Sequence, residues 1–130
     1  MNVLLSIKPK YVEKIVNGEK QYEFRKKIFK NKNVRKAFIY STAPTKKIVG
    51  TFDIGNILED DPKRLWTTLQ DVSGINEKEF FNYFRNTEKG FAIEIERLNV
   101  FDEPLDPNEL IRDFSPPQSF CYVNSELPKF

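Results

Sequence analysis

Hydrophobic and polar positions along the chain follow two different periods, and each period predicts a different kind of element. The apolar run VLLSIK at 3–8 is typical of a buried strand. Pro9 then stands at a first helical position, three apolar residues follow at helical spacing, and Gly18 stands where a helix ends. The pattern predicts a first strand followed by a helix over about 9–17.

The segment KQYEFRKK at 20–27 alternates instead between apolar and polar residues. Side chains of a strand repeat every second residue, so Tyr22 and Phe24 point to one face. Glu23 and Arg25 point to the other face. We therefore predict a strand whose aromatic side belongs to the barrel core and whose opposite side is ionic.

The rest of the chain contains three more strand patterns, two helix patterns and a proline-rich end. The strand patterns lie at 36–42, 47–54 and 91–101, and the helix patterns lie at 62–70 and directly after Asn76. Gly50 lies inside a strand pattern, which indicates a bulge or a close backbone approach. The segment 115–123 is predicted to lie extended over the fold or to form a last strand.

Several strands, two or three helices and long irregular segments within 130 residues indicate an α+β fold. We predict a small, partly closed β-barrel of about five to six strands with two to three helices packed against it. A chain of this length can bury one hydrophobic core but is too short for two ordinary domains. A single domain over residues 1–130 is therefore expected.

The composition narrows the chemistry that the chain can perform. It contains no histidine, which excludes Ser-His and Cys-His nucleophile pairs, imidazole bases and zinc sites that use histidine. The single cysteine, Cys121, cannot form an internal disulfide and is expected to be a packed thiol. The acidic turn at 59–61 has no second carboxylate cluster at a metal-binding spacing, so a loop or helix cap is expected there. We expect no metal and no cofactor.

Charge is divided unevenly along the sequence. Residues 1–50 contain 13 lysines and arginines against 3 acids, a net charge of +10, whereas residues 51–130 contain 8 against 16, a net charge of −8. The first part is basic enough to favour an anionic partner, although a solubilising lysine surface would have the same composition. No apolar run approaches the roughly 18 residues that span a bilayer, so we expect a cytoplasmic protein without a membrane partner.

The ionic face of the second strand is the strongest candidate site. Lys20 enters just before Glu23 and Arg25, so the three side chains can converge on one ligand. Two cations beside a carboxylate are suited to holding a phosphate or the polar edge of a base. The alternative is an exposed ion pair, which would contribute only about 0–1 kcal/mol to stability.

The run LLSIKPKYVEKIVNGEKQYEFR, with its G-x-K-x-x-E-x-R ending, resembles the signature of the ASCH domain, a β-barrel family of the PUA-like superfamily. Weaker support comes from FIYSTAPTKKIVGTFDI at 38–54 and from the late PPQSF. The resemblance implies a barrel whose cleft is lined by Lys20, Glu23 and Arg25. It also implies recognition of single-stranded RNA or a modified nucleotide, with a regulatory role in RNA metabolism or transcription.

Some members of the ASCH family are enzymes, which implies a second hypothesis. One bacterial group hydrolyses the amide of acetylated cytidine, and a ribonuclease activity is associated with another group. In the amidohydrolase pattern a catalytic threonine follows the motif lysine by three residues, whereas this chain has Glu23 there. The departure puts that mechanism in doubt, but Glu23 with Lys20 beside it can still act as a general base in a small, metal-free hydrolase.

Other polar residues are predicted to border the cleft. Lys8 ends the first strand, Ser41 and Thr42 begin the loop STAPTKK, and Gln118 and Ser119 follow two prolines that fix the backbone direction. Hydroxyl groups bind phosphate oxygens and an amide bonds a base edge, although Lys8 can also be an ordinary solvated side chain. These residues complete the predicted ligand-binding set.

Three functions therefore follow from the sequence. The first, which we favour, is an RNA- or nucleotide-binding module, and the second is the hydrolase, acting as a nucleoside amidohydrolase or a ribonuclease. The third is a protein-interaction module that uses the acidic second part of the chain as its contact surface.

Overall fold

The structure is a computed structural model, and it describes residues 1–124. Within them it has six strands and three α-helices, with two single-turn 3₁₀ helices at Gln70–Val72 and Pro107–Glu109. The strands are β1 Asn2–Ile7, β2 Tyr22–Arg25, β3 Lys36–Ser41, β4 Lys47–Asp60, β5 Gly90–Leu105 and β6 Phe120–Val123. The helices are α1 Pro9–Val16, α2 Pro62–Leu69 and α3 Glu77–Tyr83.

The six strands form one curled sheet in the order β2-β5-β4-β3-β1-β6. Strands β1 and β3 are parallel, and every other neighbouring pair is antiparallel. Two parallel strands need a crossover connection between them, and helix α1 lies in the connection from β1 to β3. The sheet is a half-barrel with β2 and β6 as its edges, which confirms the predicted α+β barrel with packed helices.

Strands β4 and β5 form a long two-stranded ribbon that extends past the predicted strand ends at 54 and 101. Their pairing shifts register at several points, and Gly50 lies at one of these shifts. A side chain at Gly50 would overlap the carbonyl oxygen of Asn99, so the predicted close backbone approach is confirmed. The extra length was missed because the ribbon has little of the apolar alternation that predicts a half-buried strand.

Two hydrophobic clusters decide where the site lies. One fills the half-barrel beneath α1 and includes Leu5, Ile39 and Ile93. The other packs β2 and β5 against α2 and α3, and Phe24 belongs to it with Tyr22 at its margin. The expectation that both aromatics belong to the barrel core was therefore wrong.

The pairing of β2 with β5 explains this difference. Glu23 pairs with Ile93, which belongs to the half-barrel cluster, and Phe24 pairs with Ala92, which belongs to the helix-covered cluster. Because neighbours across a sheet share a face, the ionic side of β2 faces the interior of the half-barrel.

Local signals in the sequence account for the helix starts. Asn76 caps α3 and accepts a hydrogen bond from the backbone N–H of Glu79 at 2.8 Å, as its spacing predicts. Asp61 caps α2 and accepts from the backbone N–H of Arg64 at 3.0 Å, so the acidic turn includes a helix cap. No helix within residues 1–124 is both long and apolar enough to cross a membrane.

Candidate functional site

Lys20 lies at the base of the candidate site because the chain turns sharply after α1. Gly18 has a φ of +87°, a conformation that favours glycine, and the backbone N–H of Lys20 returns to the carbonyl oxygen of Lys14 at 2.9 Å. Lys20 then forms an isolated bridge with Ser73, whose carbonyl oxygen accepts from the Lys20 amine at 3.2 Å. The side chain is only 3% exposed.

The amine of Lys20 is surrounded by groups that attract a cation. Its Nζ is 3.6 Å from Glu23 Oε1, and it lies 4.5 Å from the ring centroid of Phe24 and 5.5 Å from that of Tyr11. Burial lowers the pKa of Lys20, because desolvation disfavours the charged amine, and the Glu23 carboxylate opposes part of that effect. A lysine of this kind releases its proton more readily than an exposed one.

Arg25 joins parts of the half-barrel that backbone pairing leaves apart. Its Nη2 donates to Glu23 Oε2 at 2.8 Å and to the carbonyl oxygen of Ser6 at 2.9 Å. Its Nη1 donates to the carbonyl oxygen and Oγ of Ser119 at 3.1 and 3.2 Å. The guanidinium therefore connects edge strand β2 with the end of β1 and the start of β6.

These contacts engage both terminal nitrogens of Arg25 with protein acceptors, while its buried Nε has no hydrogen-bond partner among residues 1–124. Arg25 thus has a structural role. Its assignment as a ligand-binding residue stays a prediction.

A cavity of about 800 Å³ lies above this buried group. Seven of the eight sequence-predicted ligand-binding residues border it, namely Lys8, Lys20, Glu23, Arg25, Thr42, Gln118 and Ser119. The exception is Ser41, which is 2% exposed and does not line the cavity. Ser41 is buried at the end of β3, whereas Thr42 lies beyond the strand and borders the cavity.

The segment that carries Gln118 and Ser119 is held by the end of β1. Ser6 Oγ donates to the carbonyl oxygen of Pro117 at 2.8 Å, and the Ser6 backbone N–H donates to the carbonyl oxygen of Ser119 at 3.0 Å. These bonds fix the backbone on both sides of Gln118. The exposed Gln118 side chain is thereby presented at the cavity.

Several cavity residues were absent from the sequence-based set. Lys26 and Lys27 lie exposed at the cavity mouth. Their position directly after the ionic strand is the sequence signal that could have identified them. Tyr11 and Tyr83 come from α1 and α3. No local signal identifies Tyr83, because only the packing of α3 against β2 brings it to the cavity.

A hydrogen bond between α1 and α3 borders the cavity. The hydroxyl of Tyr11 donates to Glu79 Oε2 at 2.6 Å, and Lys10 Nζ donates to the same oxygen at 3.2 Å. Burial raises the pKa of Tyr11, and the bond to Glu79 raises it further. The same bonds lower the pKa of Glu79, so the phenol stays protonated and the carboxylate ionised near neutral pH.

Two other candidates for chemistry are a metal-binding cluster and the thiol of Cys121. Within residues 1–124, no group of three or more His, Cys, Asp or Glu side chains is placed to hold a metal ion. Cys121 is partly buried, and burial raises the pKa of its thiol, as expected for a packed and unreactive cysteine.

Comparisons with known proteins give one family match and several similar ASCH proteins. The family described as "Domain of unknown function (DUF365)" matches residues 1–113. An "ASCH domain-containing ribonuclease" of Zymomonas mobilis is 29% identical over 129 residues, which cover 95% of this chain and 84% of that protein. A crystal structure of ASCH from Zymomonas mobilis has a TM-score of 0.86 and 27% identity, covering 95% of this chain and 87% of the other. The chain belongs to the DUF365 family, and the resemblance of its sequence to the ASCH domain is confirmed.

The fold of this ASCH domain is the PUA-like half-barrel of the Zymomonas mobilis structure, with six strands and three helices in the described residues. A further relative, the large ribosomal subunit protein uL22 of Ureaplasma parvum, is 29% identical over 108 residues. That match covers 82% of the ASCH domain but only 34% of the ribosomal protein. The similarity therefore concerns one part of a longer chain.

Proposed function

We propose that this ASCH domain binds single-stranded RNA and holds one nucleotide, ordinary or modified, in the cavity above Lys20, Glu23 and Arg25. The observation that carries the proposal is the layered arrangement of charge. A buried group of two cations and one carboxylate forms the base, and exposed lysines surround the mouth, namely Lys8, Lys10, Lys26 and Lys27. Lysines at such a mouth are suited to phosphates, which position a strand without reading its sequence.

Size and polarity support a nucleotide as the occupant. The cavity volume of about 800 Å³ lies within the range of about 300–1,000 Å³ that is usual for small-molecule sites. Gln118 supplies an amide that can bond a base edge, and the exposed ring of Tyr83 supplies a surface on which a base can stack. The ribonuclease name of the Zymomonas mobilis relative favours RNA over a free nucleotide as the ligand.

The salt dependence of binding tests this proposal. Affinity for a fluorescent tetranucleotide RNA, measured by polarisation from low to high salt, should fall steeply because lysine contacts release counterions. The double variant Lys26→Gln/Lys27→Gln should bind more weakly and reduce the slope of log affinity against log salt by about 1.4, at about 0.7 for each lost contact. The matched control Lys63→Gln/Lys89→Gln changes two exposed lysines that do not line the cavity, and its slope should equal that of the wild type. Affinity independent of salt would contradict the phosphate role.

A second candidate function is metal-free cleavage of the bound RNA, and the lowered pKa of Lys20 favours it. Glu23 takes the proton of a ribose 2′-hydroxyl, and the 2′-oxygen then forms a bond to the adjacent phosphorus. The bond from phosphorus to the 5′-oxygen breaks, and that oxygen receives a proton from the Lys20 ammonium. The products are a 2′,3′-cyclic phosphate and a 5′-hydroxyl, and proton return from Glu23 to Lys20 restores the site.

A mass-resolved incubation separates the two candidates. The protein is mixed with short RNAs and with acetylated and methylated nucleosides, and both retained ligands and new masses are recorded. Cleavage predicts a cyclic-phosphate product that disappears in Glu23→Gln, while RNA affinity stays close to that of the wild type. An unchanged rate in that variant would contradict Glu23 as the base. Loss of the acetyl group from acetylated cytidine would instead indicate the amidohydrolase, and retained RNA with unchanged masses would indicate a binding module.

A further inference from the structure

The segment between β2 and β3 is charged with one sign only. No acidic residue occurs between Glu23 and Asp53. Within residues 26–35, which we call the basic arm, all five cations are exposed, namely Lys26, Lys27, Lys30, Lys32 and Arg35. Five like charges within ten residues repel one another unless a partner or counterions neutralise them.

The protein itself supplies little neutralisation. Among residues 1–124, no carboxylate forms an ion pair with any of the five cations of the basic arm. The adjoining Lys36, by contrast, pairs with Asp53 at 3.4 Å. Lys26 faces the ring of Tyr83 at 4.9 Å, and Arg35 donates only to the carbonyl oxygen of Lys32 at 3.5 Å. The positive charge of the arm is therefore directed to solvent.

The arm is nevertheless anchored to the fold. Phe29 and Val34 are buried in the half-barrel cluster and hold its two halves down. The hydroxyl of Tyr122 on β6 accepts from the backbone N–H groups of Lys30 and Asn31 at 2.9 and 3.1 Å. The cations consequently project from a fixed support, which reduces the entropy lost when a partner binds.

The anchoring residue is also an exposed aromatic surface. Tyr122 is 42% exposed, and its ring lies nearly perpendicular to that of Phe120 with 5.8 Å between centroids. Cations beside an exposed ring are the combination that single-stranded nucleic acids bind, because phosphates meet the charges and bases stack on the ring. Lys26 and Lys27 line the cavity mouth, so the arm begins where the cavity ends.

We propose that the basic arm is a track for single-stranded RNA that continues from the cavity. Lys30, Lys32 and Arg35 contact successive phosphates, and one base stacks on Tyr122. This inference rests on the proposed function, since it extends the strand whose nucleotide occupies the cavity. It defines the partner as a polynucleotide longer than the part that the cavity itself holds.

A length series tests the track. Affinities are measured for RNAs of one, four, eight and twelve nucleotides, and the wild type should gain affinity from four to eight. The arm variant Lys30→Gln/Lys32→Gln/Arg35→Gln should lose that gain, and its salt slope with the octamer should fall by about 2, for three contacts at about 0.7 each. Its affinity for the mononucleotide should equal that of the wild type.

Two controls accompany the arm variant. The first tests whether the position of the removed charges matters, and the second distinguishes the ring of Tyr122 from its hydroxyl. The variant Lys63→Gln/Lys78→Gln/Lys89→Gln removes the same charge from exposed positions outside the arm and should keep the length gain. Tyr122→Ala should weaken octamer binding by about 5- to 150-fold, the loss of one stacked base. Tyr122→Phe keeps the ring but loses the bonds that anchor the arm, so it should lose less octamer affinity than Tyr122→Ala. An equal loss in both Tyr122 variants would overturn the stacking role.

The outcomes distinguish this inference from the proposed function. Mononucleotide binding without any length gain would overturn the track and leave the cavity proposal intact. No binding of any RNA would overturn both. Poly-glutamate of matched charge is tested in the same length series. If its affinity rises with length as much as that of RNA, the arm binds an acidic protein and the RNA track is overturned.

Discussion

Lys20 shows how one residue can be held as a buried cation. Its ammonium has exchanged water for the carbonyl oxygen of Ser73, the carboxylate of Glu23 and the ring of Phe24. These contacts replace only part of the lost hydration, so the pKa of Lys20 stays lowered. The same balance suits a group that must give up a proton during a reaction and recover it afterwards.

The lowered pKa of Lys20 makes stability depend on pH in a definite direction. In the unfolded chain the lysine has its ordinary pKa of 10.5. Between the lowered folded pKa and 10.5 the unfolded state binds a proton that the folded state does not, so the free energy of unfolding contributed by Lys20 rises with pH. Lys20→Met should lack this contribution, which urea unfolding of both proteins from pH 7 to 10.5 will measure.

Lys14→Met is the control with the opposite sign. The hydrogen bond from Lys14 to Glu19 raises the pKa of Lys14. Its contribution is therefore fully present below pH 10.5 and is lost as pH rises through the raised folded pKa. If the difference between wild type and Lys20→Met does not change with pH, Lys20 has an unperturbed pKa in the folded protein.

Gly74 is expected to position the Lys20 amine. Gly74 has a φ of +63°, and a Cβ there would lie 2.8 Å from the Cα of Lys20. Gly74→Ala should therefore lower the free energy of unfolding by more than the about 1–2 kcal/mol that a left-handed alanine costs. Because the displaced turn would withdraw the Ser73 carbonyl that stabilises the ammonium, the pKa of Lys20 should also fall further below 10.5 in an NMR titration.

Gly18→Ala separates backbone strain from contact with Lys20. Gly18 has a φ of +87°, but a Cβ there meets nothing within 4 Å. Gly18→Ala should lower the free energy of unfolding only by the about 1–2 kcal/mol that a left-handed alanine costs. It should leave the NMR titration of Lys20 unchanged. Equal titrations in the Gly74 and Gly18 variants would show that the turn does not position the amine.

At the scale of elements, Arg25 does what backbone pairing does elsewhere in the sheet. Strands β2 and β6 are the two edges, and no backbone ladder joins them. The guanidinium bonds to Ser6 and Ser119 connect these edges across the site. A planar group with five N–H donors can make this connection, whereas a lysine has a single nitrogen.

Loss of Arg25 should therefore loosen the closed side of the half-barrel. Arg25→Met leaves the Glu23 carboxylate without its shortest partner, and breaking a buried ion pair in this way costs about 3–5 kcal/mol. Urea unfolding should show that loss, and amide hydrogen exchange should accelerate in Phe120–Val123. The double variant Glu23→Gln/Arg25→Met should recover part of the loss because the buried carboxylate is gone.

Arg64→Met is the matched control for a surface arginine. Arg64 is exposed and lies 3.8 Å from Asp60 and 3.5 Å from Asp61. Its removal should change the free energy of unfolding by no more than about 0.5 kcal/mol. A similarly small effect of Arg25→Met would contradict the connecting role of Arg25.

Elements were predictable from sequence where the signal is local, and the site was predictable only in part. The proline, glycine and capping positions located α1 and α3, and the alternation in β2 placed Glu23 and Arg25 on one face. The direction of that face depends on β5, about seventy residues away, so Phe24 was assigned to the wrong cluster. Tyr83 was missed for the same reason, because its place at the cavity follows from packing between distant elements.

At the scale of the whole molecule, the basic first part of the chain and its acidic second part place their charges differently. Cations of the first fifty residues surround the cavity mouth and continue along the basic arm. Acids of the second part include Asp53, which pairs with Lys36 and Arg97. On the proposed RNA function, the first surface would attract an anionic strand, while the small net charge of +2 would limit that attraction at longer range.

Binding of RNA should be visible as stability of the whole fold. A ligand that binds only the folded state adds RT ln(1 + [L]/Kd) to the free energy of unfolding, which is about 2.7 kcal/mol at a hundredfold excess over Kd. The experiment uses Glu23→Gln, so that cleavage cannot consume the RNA, and measures urea unfolding with an octamer.

A variant that weakens binding tenfold, such as the one that lacks Lys30, Lys32 and Arg35, should lose about 1.4 kcal/mol of that shift at the same RNA concentration. The loss should disappear when mononucleotide replaces the octamer, because only the longer strand reaches the basic arm. No shift with either ligand would contradict both RNA functions. The acidic second part of the chain would then be the surface to test for a protein partner.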